Sequence, residues 1–223
     1  ETLINHHSTI MDKYDPEKKI GLICDEWGTW FTCEPGTNPG FLYQQSTMRD
    51  ALVAGLSLNI FNKHCDRVKM ANIAQLINVL QAVILTDGPR MLRTPTYHVF
   101  HMYKYHQDAD LVESYLDGVE TIGEEEEYMV PSLQESVSID KEGILTITLN
   151  NLSVDKDEPV EISFAECQTK EVTAAILNNE MHAYNTFEDP DKVHEEVFSN
   201  YTVENGMIRF TMPASSVVQF RVR

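Results

Sequence analysis

The sequence predicts two architectures in series: the C-terminal part of a (β/α)8 TIM barrel, then an antiparallel, jelly-roll-like β-sandwich. Three observations predict them. Short apolar runs alternate with helical periodicities over residues 1–108, and period-two segments separated by turn residues fill residues 109–223. A carboxylate pair, Asp25-Glu26, stands where the first apolar run opens into a long loop. Strand, helix, strand, helix is the order of a parallel sheet covered by helices. Several short strands with turns between them make a sandwich. Two strand–helix units cannot close a barrel, but they can be the last quarter of one.

Leu3, Ile4, His7, Ile10, Met11 and Tyr14 recur at helical spacing, and Asp15-Pro16 ends that helix because proline disfavours continuation. Residues 20–24 form a short apolar run, the signature of a strand buried on both faces. A loop rich in Gly and Pro follows, through Glu34-Pro35-Gly36-Thr37-Asn38-Pro39-Gly40. Ser46 can cap a helix in which Met48, Leu52, Leu56 and Ile60 form one face. Residues 68–74 read as a second buried strand. Gly88-Pro89 is a turn, and Pro95 stands near the start of a helix over 97–105. Alternation then marks strands at 136–139, 144–149, 160–164, 172–177, 207–212 and 217–222. Asp140-Lys141-Glu142-Gly143 and Glu204-Asn205-Gly206 are hairpin-type turns. The acidic run at 124–127 reads as a solvated loop.

Composition narrows the partners. The 223 residues carry a formal charge of −18, which repels phosphate backbones and excludes nucleic acid, while a neutral sugar is compatible with it. No apolar run approaches the roughly 20 residues of a membrane span, so no membrane partner is expected. The chain opens inside a helical pattern, without the order of a signal peptide, as expected of a piece of a longer polypeptide. Cys24, Cys33, Cys65 and Cys167 fit neither a zinc site nor a disulfide framework. Cys24 and Cys65 read as small core hydrophobes, and a reducing, cytoplasmic compartment is expected. His6-His7 lacks carboxylates at ligand spacing, so no metal or other cofactor is implied. His98, His101 and Lys104 read as a polar helix face, and Asp66 and Arg67 as groups that tie a helix end to a strand.

In a (β/α)8 barrel the C-terminal ends of strands line the active site. Alternation puts Leu22, Cys24 and Glu26 on one side of their strand and Ile23 and Asp25 on the other. Glu26 suits the barrel mouth, because Trp27, Trp30 and Phe31 follow it. Sugars stack apolar C–H faces on such rings, and a carboxylate beside them can attack an anomeric carbon.

The stretch Gly21-Leu22-Ile23-Cys24-Asp25-Glu26-Trp27-Gly28-Thr29-Trp30 resembles the nucleophile strand of glycoside hydrolase family 51. Asp50-Ala51-Leu52-Val53-Ala54-Gly55-Leu56 and the segment from Lys63-His64-Cys65-Asp66-Arg67 to Gln75-Leu76-Ile77-Asn78 are similar to that family's seventh helix and eighth strand. Thr94-Pro95-Thr96-Tyr97-His98-Val99-Phe100 resembles its eighth helix, and Asn185-Thr186-Phe187-Glu188-Asp189-Pro190 with Ser215-Ser216-Val217-Val218 its C-terminal sandwich. The resemblance implies hydrolysis of terminal α-L-arabinofuranosyl units with retention of configuration. It implies that Glu26 is the nucleophile, that Gln75 hydrogen-bonds the arabinofuranose and that Trp30 lines the sugar pocket. The family's acid/base comes from an Asn-Glu pair on an earlier strand, so the resemblance implies an upstream N-terminal part of the same enzyme as partner. Asn179-Glu180 is a decoy in the sandwich segment. Without the upstream part, no useful hydrolysis is expected. Family members often form hexamers, so a homo-oligomer is compatible with the resemblance. Two other readings stay open: a non-catalytic sugar-binding or interaction module, and a retaining barrel glycosidase of different sugar specificity.

Overall fold

The computed structural model describes residues 1–124, 128–165 and 171–223. Cys167 and residues 125–127 of the acidic run lie outside them. Helix α1 (Thr2–Asp12) leads to strand β1 (Leu22–Trp27), helix α2 (Met48–Lys63) and strand β2 (Val68–Ile73). A hairpin of β3 (Ile84–Asp87) and β4 (Arg90–Arg93) turns at Gly88-Pro89, and α3 (Pro95–Tyr103) follows. The remaining strands are β5 (Asp110–Val112), β6 (Thr121–Ile122), β7 (Val130–Pro131), β8 (Leu133–Ile139), β9 (Leu145–Asn151), β10 (Glu158–Ile162), β11 (Val172–Asn178), β12 (Glu196–Val197), β13 (Tyr201–Glu204), β14 (Met207–Met212) and β15 (Ser216–Val222). Among the described residues no helix is long and apolar enough to cross a membrane.

The sandwich is present. One sheet runs β12-β11-β15-β9-β8-β5, and the facing sheet runs β10-β14-β13. Leu145, Ile147 and Leu149 of β9 and Val218, Phe220 and Val222 of β15 project between them, onto Ile208, Phe210 and Met212 of β14. Both predicted hairpin turns connect paired strands, β8 to β9 and β13 to β14. Alternation along β9 sends the intervening residues, Thr146, Thr148 and Asn150, to the opposite face, yet these too are buried.

The helices explain that second burial. α2 and α3 lie on the outer face of the larger sheet, where Met48, Ala51, Leu52, Val99 and Met102 pack with Leu177 and Val217. The contact is partly polar. Ser136 and Thr148 each donate to Asn59 Oδ1 at 2.8 Å, and Lys63 pairs with Glu135 at 2.6 Å.

This packing corrects several expectations. The buried stripe of α2 is Met48, Ala51, Leu52, Gly55 and Asn59, whereas Leu56 and Ile60 are only partly buried. The cap is Thr47, in a capping box with Asp50, and Ser46 bonds Thr96 instead. His98 is buried and belongs to no polar face, although His101 does pair with Glu195 at 2.6 Å. Cys65 is exposed rather than a core residue. For the buried stripe of α2 and for His98 the burying neighbours are remote in sequence, so local periodicity does not reveal them.

β1 and β2 pair in parallel, with α2 as their connection, and form a sheet of two strands only. Two strands make no barrel. Their outward apolar side chains are uncovered: Ile23 is 54% exposed and Met70 53%. Arg67, fully buried, binds Asp15 Oδ2 at 2.8 Å, the Ile20 carbonyl at 2.9 Å and the Asp12 carboxylate at the end of α1. Lys18 pairs with Asp66. These contacts tie α1 and its following turn to the start of β2, the structural role expected of Asp66 and Arg67.

Candidate functional site

The carboxyl ends of β1 and β2 lie side by side, because Ala74 N–H donates to the Trp27 carbonyl at 2.8 Å. Glu26 is the penultimate residue of β1, and Gln75 stands two residues past β2, after a cis Ala74–Gln75 peptide. Both are exposed, as is Trp30, at 66%. Among the described residues, the carboxylate of Glu26 and the amide of Gln75 have no hydrogen-bond or ion-pair partner.

The strict alternation expected for β1 fails at its end. Cys24 pairs with Ala71 and Trp27 with Ile73, so β1 spends three residues against two on β2. One residue bulges. Trp27 therefore turns onto the helices, edge-on to Phe61 at 5.4 Å and stacked on Phe100 at 6.1 Å. Cys24 and Trp27 become the partly buried pair, and Asp25 and Glu26 are both left exposed. Trp27 is thus a core residue rather than a sugar platform.

Beneath the exposed residues lies a buried polar network. Gln81 Oε1 accepts from Thr29 N–H at 2.9 Å, and Gln81 Nε2 donates to the Asp50 carbonyl at 2.7 Å and to Thr96 Oγ1 at 3.2 Å. Thr29 Oγ1 donates to Asp50 Oδ1 at 2.6 Å. Gln44 Oε1 accepts from Phe31 N–H at 2.8 Å, and the Arg49 guanidinium covers the Phe31 ring at 3.8 Å. The loop after β1 is thereby fixed at Thr29 and Phe31, on either side of Trp30. Sequence reasoning missed Gln81, Gln44 and Thr29. Only Asp50 carried a signal, its capping-box spacing from Thr47. No cluster of three or more metal-ligating side chains occurs among the described residues.

The candidate site thus sits on an α/β unit docked on an antiparallel sandwich, with a carboxylate and an amide at adjacent strand ends. The chain belongs to the α-L-arabinofuranosidase C-terminal domain family, whose profile matches residues 25–216. It is 43% identical, over its whole length, to an intracellular exo-α-L-arabinofuranosidase of Bacteroides ovatus, covering 43% of that protein. It superposes on a family 51 arabinofuranosidase from Xanthomonas axonopodis pv. citri with a TM-score of 0.95 at 43% identity, covering all of this chain and 45% of that one. A family 51 α-L-arabinofuranosidase of Bifidobacterium longum shares the fold, with a TM-score of 0.85 at 24% identity over all of this chain and 47% of that one. The chain therefore spans less than half the length of these relatives.

Proposed function

We propose that this chain is the C-terminal portion of a retaining α-L-arabinofuranosidase that releases terminal α-L-arabinofuranosyl residues from polysaccharides or oligosaccharides. Glu26 is its nucleophile, Gln75 hydrogen-bonds the furanose, and Trp30 lines the sugar pocket. Residues 1–108 are the last strands and helices of the (β/α)8 barrel, and residues 109–223 the sandwich. One observation carries the reading: an unpaired carboxylate and an unpaired amide stand at the open ends of adjacent parallel strands, the end at which barrels place catalytic groups.

The mechanism is double displacement. The Glu26 carboxylate attacks the anomeric carbon while a second carboxylic acid, about 5 Å away, protonates the departing oxygen. Water then attacks the glycosyl-enzyme, with that second group as base, and releases Glu26. The acid/base comes from an upstream segment. Asn179-Glu180 does not supply it, since it follows β11 of the sandwich and Asn179 Nδ2 donates to the Lys192 carbonyl. The same upstream segment covers Ile23 and Met70. Residues 1–223 alone are accordingly inactive. A cytoplasmic setting is in keeping with the intracellular relatives of Bacteroides ovatus and Streptomyces lividans.

The test is covalent labelling. The chain joined to its upstream segment is treated with an activated arabinofuranoside inactivator, and the modified peptide is mapped by mass. The adduct is expected on Glu26. An adduct on any other residue overturns the assignment.

A further inference from the structure

We infer that Gln81 is a positioning residue for this site, a buried amide that sets the loop bearing Trp30 against the loop bearing Gln75. The inference rests on the proposed roles of Trp30 and Gln75 and deepens them. Gln81 is fully buried and lies in the segment after β2. Its backbone N–H donates to the Ala74 carbonyl at 3.1 Å, one residue before Gln75. Its side-chain oxygen takes Thr29 N–H at 2.9 Å, one residue before Trp30. One residue therefore holds the chain immediately ahead of both proposed sugar contacts.

The rest of its side chain is anchored. Both amide hydrogens are committed, to the Asp50 carbonyl in the first turn of α2 and to Thr96 Oγ1 in the first turn of α3. Thr96 Oγ1 in turn meets Ser46 Oγ at 3.1 Å. The side chain cannot rotate without leaving buried donors and acceptors unpaired. Gly28, at φ +135°, completes the fit: a Cβ there would stand 3.2 Å from Gln81 Oε1 and 3.5 Å from the Ala74 carbonyl. Backbone and amide thus interlock under the mouth of the site. Small errors in such support displace first-contact groups and cost rate.

The experiment compares Q81M, Q75A, W30A and the two double variants Q81M/Q75A and Q81M/W30A. The protein is this chain fused behind the upstream part of the Xanthomonas relative, assayed on an aryl α-L-arabinofuranoside, with active sites counted by the burst of aryl product. Q81M is expected to lower kcat/KM per active site at least tenfold. Its loss is expected to shrink to about twofold or less when Gln75 or Trp30 is already truncated, because Gln81 acts through them. The inference is overturned if Q81M retains parental kcat and KM per active site with only a lower Tm, or if its loss multiplies undiminished in the double variants. Should Q81M not fold, Q81E, which keeps the acceptor for Thr29 but loses the donors, faces the same two outcomes. Parental kinetics in Q75A and W30A would instead sink the sugar-contact reading itself, and Gln81's role with it.

Discussion

Gly55 lets α2 approach the sandwich at Asn150. A Cβ there would fall 2.1 Å from Asn150 Oδ1, and Asn150 is not free to retreat, because its Nδ2 donates to the Tyr103 hydroxyl at 2.9 Å. Gly55→Ala is therefore expected to destabilise the chain by about 1–3 kcal/mol, read as a fall in the urea midpoint at unchanged slope. A buried histidine, His98, and a partly buried one, His106, make stability pH-dependent. His106 Nδ1 meets Ser138 Oγ at 2.8 Å and Nε2 meets Thr148 Oγ1 at 3.0 Å. Since the Thr148 hydroxyl donates to Asn59 Oδ1, it accepts from Nε2–H, and Ser138 donates to Nδ1. Burial pulls His106 down to about 4. His98, whose ring nitrogens are buried without hydrogen-bond partners, is likewise lowered by burial to about 4. A depressed folded pKa means that the unfolded chain takes up the proton first. Stability is thus full above about pH 6.5 and falls as pH drops toward 4, by roughly 2–3 kcal/mol for each histidine. Urea melts at pH 7 and 4.5 check this, and H106Q is expected to remove a large part of the difference.

At the scale of elements, α1 is held by its end rather than by its middle. α1 has no fully buried residue of its own, so its attachment depends on Arg67, which is 1% exposed between Asp12 and Asp15. Arg67→Met leaves Asp15, 12% exposed, without its cation. The expected cost is about 3 kcal/mol, with faster hydrogen exchange confined to α1 and the turn that follows. Much of this level was legible in the sequence. The three helices, both parallel strands and six sandwich strands follow from local spacing and apolar runs, although the face that α2 buries does not. The cap at Thr47 was legible in its three-residue spacing from Asp50, but the bulge in β1 was not. A bulge depends on the register of the partner strand, and Trp27 turns inward only because Phe61 and Phe100 await it.

For the whole molecule, the larger sheet is covered on both faces, by the smaller sheet and by α2 and α3, while the β1-β2 sheet is covered on one. The exposed Ile23 and Met70 make the surface that the proposed upstream segment would cover. The isolated chain is expected to bind a hydrophobic dye, and fusion to the upstream part is expected to suppress that binding; equal dye binding in both would count against a covering segment. The sequence by itself determined the order of the main helices and strands, the sandwich and the family, but not the short strands β3 to β7 and β12, because the former rest on local spacing and on contiguous motifs such as residues 21–30. Only the tertiary structure decided which face of α2 is buried, that His98 lies inside, and that Gln81 joins the two loops of the candidate site. Those outcomes depend on residues dozens of positions apart meeting in a close-packed interior, and no local pattern records which partner a side chain will meet.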